Sequence, residues 1–447
     1  TGTYSYKGRY TLNGTVRYEG SNKLGKSRKA RWLPTWNVSA AWNAHEEEFW
    51  QSFRDVVSNM TLKASYSLTA DRGPASVSNS KAIINSYNTW RPFTSMKESG
   101  LILSSVENSE LTYEKKHELN IGAEIGFIDN RINIEADWYT RNNFDLIGLI
   151  YTKGTGGQLA KFANVASMKS SGVEFTVSTR NIKTKDFSWN TDFIFSHTKN
   201  EVTDLQSNAS VMDMISGNGF AMEGYPVRAL FSMDFQGLNE NGYPTFINEK
   251  GQLTVSDINF QEQLKKDHLV YEGPTDPTMT GSLGNIFRYK GFTLNAFITY
   301  SFGNVIRLDP VFHNVYSDLD AMPREFINRW TTGGDEKVTN VPVIADKRAN
   351  QQDPYLSYAY NAYNYSTERI AKGDFIRMKE LSLSYNFPKK MISRLKVNDL
   401  SVKIQATNLF LIYSDKKLNG QDPEFFNTGG VASPVPRQFT LTLRLGI

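Results

Sequence analysis

The sequence predicts an all-β protein, a transmembrane antiparallel up-and-down barrel, and three observations carry that prediction. Long segments alternate apolar and polar residues with period two, which is the signature of strands with two unlike faces. The connections between those segments are long and short by turns along the chain. Aromatic residues are abundant, with 22 Tyr, 27 Phe and 8 Trp among 447 residues, although the mean hydropathy is only −0.45. No run approaches the roughly 18 apolar residues of a spanning helix, which excludes a helical membrane protein. A barrel remains compatible with the low average, because its lipid-facing residues alternate with polar lumenal ones.

The elements follow in order. The chain opens at Thr1-Gly2-Thr3-Tyr4 and enters a strand almost at once, with no initiator Met and no signal peptide, so it is expected to be a piece of a longer polypeptide. Tyr10, Leu12, Gly14, Val16 and Tyr18 share a face in a strand that ends at Glu19-Gly20. A basic loop, Ser21 to Arg31, leads to a strand with Trp36, Val38, Ala40 and Trp42 on one side. The connector from Glu46 to Trp50 can hold one helical turn, and Leu62, Ala64, Tyr66 and Leu68 mark the next strand. After a long polar loop, Asp71 to Asn108, comes the clearest stretch, Glu114 to Tyr139. His117, Leu119, Ile121, Ala123, Ile125 and Phe127 alternate with polar residues and glycines, a turn falls at Asp129-Asn130, and Ile132, Ile134, Ala136 and Trp138 resume the pattern. Strands of this length fit the roughly 9–11 residues needed to cross a bilayer better than the roughly 5–6 of a soluble strand.

Val173, Phe175 and Val177 belong to the next strand, a short turn spans Asn181 to Asp186, and Trp189 to His197 follows. Thr198 to Pro277 reads as turn-rich, punctuated by glycines. A hairpin then joins Thr280–Tyr289 through Lys290-Gly291 to the face Phe292, Leu294, Ala296, Ile298 and Tyr300. Another long loop, Gly303 to Gly373, precedes Leu381, Leu383, Tyr385 and Phe387; a connector starts at Pro388. Leu400, Val402, Ile404 and Ala406 follow, and Phe439, Leu441, Leu443, Leu445 and Ile447 close the chain. That makes twelve expected spans. The loops after odd-numbered spans are generally long and those after even-numbered spans short or intermediate, as in outer-membrane barrels with short periplasmic turns and long extracellular loops.

Composition narrows the function classes. Fifty Lys and Arg against 46 Asp and Glu give a net charge of +4, and the basic residues are scattered, so no nucleic acid is expected as a partner. The absence of cysteine excludes disulfides and thiolate metal sites. His45, His117, His197, His268 and His313 lie far apart in sequence and form no metal-ligand pair, so neither metal nor other cofactor is expected. Gly154 to Gly157 opens no helix and is not a phosphate cradle, and Asp318, Asp320 and the glutamates from Glu46 to Glu48 read as solvated charge. No catalytic constellation is found, and an enzyme is not expected.

Several stretches resemble the C-terminal half of the SusC/RagA family of TonB-dependent outer-membrane transporters. The most specific are Gly373-Asp374-Phe375-Ile376-Arg377-Met378-Lys379-Glu380-Leu381-Ser382-Leu383-Ser384-Tyr385 and Asn108-Ser109-Glu110-Leu111-Thr112-Tyr113-Glu114-Lys115. Supporting matches include Ser39-Ala40-Ala41-Trp42, Glu223-Gly224-Tyr225-Pro226, Asn328-Arg329-Trp330-Thr331, Ala406-Thr407-Asn408-Leu409-Phe410 and Asp422-Pro423-Glu424. The resemblance implies import of oligosaccharides or oligopeptides across the outer membrane of a Bacteroidetes-type bacterium. It further implies a SusD-like surface lipoprotein over the extracellular mouth and energy from TonB acting on a plug. Residues 1–447 would then be the C-terminal part of a barrel of roughly 22 strands. The plug, the TonB-contacting segment and the remaining strands would have to come from elsewhere, since an open barrel edge in lipid leaves backbone groups unpaired. The chain also ends at Ile447, where many such barrels end in an aromatic residue.

Ligand-contact candidates fall in two loops expected on the extracellular side. Tyr355, Tyr358, Tyr360, Asn361, Tyr363, Asn364 and Tyr365 offer rings and amides for stacking on and hydrogen-bonding a glycan or peptide, and Trp90 is a second candidate. The plain alternative is that these tyrosines pack the loop or contact the lipoprotein. Glu118, Glu124, Glu135 and Asp137 are expected to face the lumen. Three functions remain open from sequence: an energised importer, a structural or assembly subunit of an outer-membrane complex built on such a barrel, and a soluble carbohydrate-binding β protein.

Overall fold

The computed structural model describes residues 1–73, 81–88, 99–151, 153–154, 160–206, 209–312, 324–393, 397–425 and 436–446. Thirteen strands carry the main sheet structure. They are β1 (Gly2–Tyr6), β2 (Tyr10–Gly20), β3 (Trp32–Asn43), β4 (Val57–Asp71), β5 (Glu114–Phe127), β6 (Ile132–Tyr151) and β7 (Ala160–Lys183). They continue with β8 (Phe187–Leu205), β9 (Met279–Tyr289), β10 (Phe292–Phe302), β11 (Phe375–Asn386), β12 (Asp399–Ser414) and β13 (Gln438–Gly446). The strand beyond the twelve read from sequence is β1, whose five residues are too few for alternation to register. Its turn into β2 uses the left-handed backbone of Lys7 and Gly8, at φ 51° and 68°.

Two compact units make up the chain. The first contains Thr1–Asn181, Ile194–Ser207 and Glu223–Tyr225; the second contains Ile182–Phe193, Asn208–Met222 and Pro226–Ile447. In the first, β1 to β7 follow one another in the sheet, each antiparallel to the next. In the second, β9 to β13 do the same. This is the up-and-down order expected, since consecutive antiparallel strands need only a turn between them.

Register fixes two unlike faces. In the first unit Tyr10, Trp42, Leu62, Ala123, Ala136 and Phe175 lie abreast across β2 to β7. One residue along, on the opposite face, lies the row Thr11, Ala41, Lys63, Gly122, Asp137 and Glu174. In the second unit Phe287, Leu294, Leu383, Ile404 and Leu441 are backed by Arg288, Thr293, Ser384, Lys403 and Thr442. The apolar face is the exposed one: Val16 is 75% exposed, Ile404 57% and Leu441 73%. Leaving such side chains in water forgoes roughly 1.5–3 kcal/mol each, so rows of them on a sheet's outer face require lipid. That excludes the soluble sandwich, which would have buried this face.

The polar face is an ion-paired one. Lys63 Nζ reaches Glu124 at 2.5 Å and Glu135 at 3.1 Å, while Glu118 accepts from Lys116 at 2.7 Å and Arg141 at 3.1 Å. Gly122 belongs to this packing. A Cβ there would sit 2.2 Å from the Asp137 carboxylate, so glycine leaves room for the neighbouring acid.

Connections alternate as the sequence predicts. In the first unit 7–9 and 128–131 are short and 44–56 is intermediate, with two 3₁₀ turns, Ala44–Glu46 and Glu48–Ser52, forming the expected helical connector. The opposite loops are structured. Ile83–Asn88 and Ser99–Ser105 form a hairpin inside what reads as a polar loop, and Leu24, Leu111 and Tyr113 make a small buried cluster beside Leu33 and Phe162. In the second unit the stretch to Pro277 read as turns is a folded layer. It holds the helix Val211–Ile215, the antiparallel pair Ala229–Met233 with Leu269–Pro274, and the three-stranded sheet Phe235–Leu238, Pro244–Ile247 and Leu253–Thr254. Sequence reasoning missed it because these strands are short and glycine-bounded, which is the same pattern as serial turns.

Candidate functional site in the loop layer

The loop layer of the second unit is assembled around buried arginines. The first, Arg307, ends the short strand Val305–Arg307, which pairs with Ile370–Lys372. It is 6% exposed. Its guanidinium donates to the carbonyls of Ser366 at 2.8 Å, Phe231 at 2.6 Å and Ile215 at 3.3 Å. One side chain thereby ties together the Ala229–Met233 strand, the Val211–Ile215 helix and the turn after the tyrosine-rich segment. Burial pulls this guanidinium down to about 10, opposed by the carboxylate of Glu272. Burial pushes Glu272 above the usual carboxylate range.

Second is Arg369, 4% exposed, which donates to Glu325 Oε1 at 2.5 Å and to the Asp309 carbonyl at 2.7 Å. It lies at a cavity of about 470 Å³ lined also by Asn340, Tyr363, Glu368, Lys417 and Asn419. Glu368 is held by the Asn340 amide at 3.0 Å. Burial raises the Tyr363 phenol above its ordinary range, so it stays a neutral hydroxyl. The cavity therefore presents donors and acceptors in near balance, a wall suited to hydroxyl or amide groups rather than to an apolar ligand.

The third arginine joins two stretches that sequence reasoning singled out separately. Arg377, on β11, is 3% exposed and pairs with Asp422, with its Nε 3.3 Å from Glu424. The loop after β12 is thus anchored to the strand that carries the Gly373–Tyr385 motif.

The tyrosine-rich segment is a helix, Leu356–Asn364, rather than an open loop. Leu356, Ala359, Tyr360 and Tyr363 fall at i, i+3, i+4 and i+7, one buried stripe. Tyr360 stacks on Phe312 with ring centres 3.5 Å apart, and its hydroxyl donates to the Val343 carbonyl at 2.7 Å. Tyr363 packs edge-on against Phe235. Asn364 is also internal: its Oδ1 accepts from the amides of Val311 and Phe312, and its Nδ2 donates to the Phe312 carbonyl. Asn361 and Tyr365 are half-buried, and the Tyr365 ring lies 5.9 Å from the Arg307 guanidinium. Of the seven candidates only Tyr355, 61% exposed, and Tyr358, 44%, present rings to the outside; they pack 5.8 Å apart, with Phe260 against Tyr358. Trp90 lies outside the described residues. Arg307 and Arg369 were invisible to sequence reasoning, since nothing in their spacing distinguishes them from surface cations, and Arg377 stood out only as one letter of the Gly373–Tyr385 stretch.

Residues 1–322 match the family model described as TonB dependent receptor-like, beta-barrel. TonB-dependent receptor P3 of Formosa agariphila is 23% identical over 94% of this chain and 41% of its own length. TonB-dependent receptor SusC of Bacteroides thetaiotaomicron is 25% identical over 99% of this chain and 42% of its own. The RagAB peptide transporter structure aligns with a TM-score of 0.78 at 21% identity, covering 99% of this chain and 46% of that one. This chain thus spans less than half the length of the relatives it matches.

Proposed function

From the premise that the chain belongs to the TonB-dependent receptor-like β-barrel family, an outer-membrane family, we propose that it is the C-terminal part of a SusC/RagA-like importer. In this reading it carries oligosaccharides or oligopeptides inward together with a SusD-like lipoprotein, and a plug borne on the rest of the polypeptide couples it to TonB. The observation that carries the reading is the folded loop layer itself. An outer-membrane barrel used only as a wall has no need of a polar cavity of about 470 Å³ lined by the buried Arg369. Tyr355 and Tyr358 are the rings proposed for ligand or lipoprotein contact, and the cavity beside Arg369 is proposed for polar groups of the ligand.

The test is uptake. Cells expressing the intact protein with its adjoining polypeptide and lipoprotein should deplete labelled oligosaccharides or oligopeptides from the medium, and loss of TonB should abolish this. Undiminished uptake without TonB, or a purified complex with no plug in its lumen, would overturn the proposal. The double variant Tyr355→Ala/Tyr358→Ala should weaken ligand or lipoprotein capture without lowering thermal stability.

A further inference from the structure

The short-turn rim of the second unit has a charge and ring pattern that import does not use. Three connections meet there: 184–186, 290–291 and the one that starts after β11. They are stitched edge to edge, since Lys290 N donates to Asp186 O at 3.2 Å and Asn386 N to Gly291 O at 2.9 Å. Lys183, Lys185, Lys290, Lys389 and Lys390 project from these ends, all exposed. Among the described residues, the carboxylates at this rim are Asp186 and Asp399 alone, and none of the five lysines is ion-paired.

One or two residues inward on the apolar face lies a belt of rings. Phe292 lies tilted against Tyr385 with ring centres 4.3 Å apart, Phe387 packs edge-on against Tyr385 at 4.8 Å, and Trp189 stacks on Phe287 at 5.6 Å. The Lys290 ammonium lies 5.3 Å from the Tyr289 ring centre. Rings of this kind mark the level where acyl chains give way to headgroups, and lysines just beyond reach the phosphate level. The short turns of the first unit provide the contrast. There Glu46, Glu47, Glu48, Asp55 and Asp129 outweigh Lys7, Arg9, Arg54 and Arg131, and Arg9 is already paired with Glu47 at 2.9 Å. The excess positive charge is therefore a property of the second unit's short turns and is not repeated in those of the first unit.

We propose that this arc binds the phosphates of anionic phospholipids in the periplasmic leaflet, with lysines capping headgroups whose chains lie on the ring belt. The test uses the intact detergent-purified protein, exchanged into mixed phosphatidylglycerol–phosphatidylcholine bilayers, with co-retained lipid counted by native mass spectrometry after graded detergent washing. The wild type should hold phosphatidylglycerol about tenfold longer than phosphatidylcholine. Lys185→Gln/Lys290→Gln/Lys389→Gln/Lys390→Gln should erase that preference. If the quadruple variant does not assemble, Lys389→Gln/Lys390→Gln, confined to exposed side chains, should still reduce it. Equal retention of both lipids by the wild type, or an undiminished preference in either variant, would overturn the proposal. So would full displacement by millimolar inorganic phosphate, which would mean a free-anion site instead of a lipid surface.

Discussion

Replacing Arg307 by Met tests whether the loop layer is a unit held by its buried charge. The substitution keeps the length and apolar stem of the side chain but deletes the donors to Ser366, Phe231 and Ile215. Two of those bonds are short, at 2.8 and 2.6 Å, and bonds to a charged group contribute roughly 1.5–3 kcal/mol each. The gain is offset by the desolvation of the guanidinium, yet removing one partner of a buried ionic network typically costs about 3–5 kcal/mol. Glu272 would also lose its compensating charge in the interior. At about 1.4 kcal/mol per tenfold, amides of Ala229–Met233 and Ile370–Lys372 should exchange hydrogen roughly 100- to 4,000-fold faster. The strands β9 to β13, held by their own ladders, should keep their protection and the heat-modifiable gel mobility of a folded barrel. Arg307→Lys keeps the charge but not the fork, and should fall between. Unchanged exchange in the layer would refute the role of the arginine. Loss of protection throughout β9 to β13 would refute the layer's independence from the sheet.

The remaining predictions address single contacts. Tyr360→Phe removes only the hydroxyl bond to Val343 and should lower the stability of the layer by about 1–3 kcal/mol, read as faster limited proteolysis near the helix. Gly25→Ala places a Cβ 2.0 Å from the Ser109 carbonyl oxygen, so the bonds from Gly25 N–H to the Leu111 carbonyl and from Lys26 N–H to the Ser109 carbonyl must open; the Gly25 and Lys26 amides should lose exchange protection while β2 and β3 keep theirs. Burial holds His268 below the ordinary histidine range, against the pull of Glu249, Glu262 and Asp267. Its neutral form is therefore favoured in the folded state, and the stability it contributes is full above the ordinary histidine pKa and lost as pH falls through the lowered one. His268→Gln should flatten the dependence of loop-layer unfolding on pH below about 6.5, and an equally steep profile would exclude His268 as its source.

What was legible in the sequence was whatever repeats. Period two in β2 to β13 survives because each strand must show lipid one face and the lumen the other, and a one-residue slip would exchange them. The loop layer has no such constraint. Its strand Ala229–Met233 is buried at every position, so no alternation marks it, and the others are too short for a period to register. The tyrosine segment was misjudged for a related reason. Counting aromatic rings weighed Tyr355, Tyr358, Tyr360 and Tyr363 equally, whereas the spacing of Leu356, Ala359, Tyr360 and Tyr363 already described one apolar helix face. Read that way, Tyr360 and Tyr363 would have been withdrawn from the ligand candidates.

The arginines mark the limit of such reading and show what the motifs are for. Arg377 stands in Asp374-Phe375-Ile376-Arg377, on a strand position where the polar face would suffice with any hydrophilic residue. Its partner Asp422 is followed by Pro423-Glu424, and Asp422 Oδ1 also accepts the Glu424 amide at 3.1 Å. Proline fixes the backbone between the two acids, so both reach one guanidinium. Neither stretch explains itself alone, and each makes physical sense as one half of an anchor between β11 and the loop after β12. A guanidinium at 4% side-chain exposure cannot be left unpaired without a penalty of several kcal/mol, so Arg377 and Asp422 are constrained together. It follows that Asp422→Asn should be more damaging than Glu424→Gln. Asn keeps an acceptor but strips the charge from a pair with both members buried, whereas Glu424, 37% exposed, is already shared with water. Limited proteolysis of the segment after Ser414 in the intact protein measures the difference. Equal cleavage of the two variants would show that the charge at Asp422 does not hold the loop.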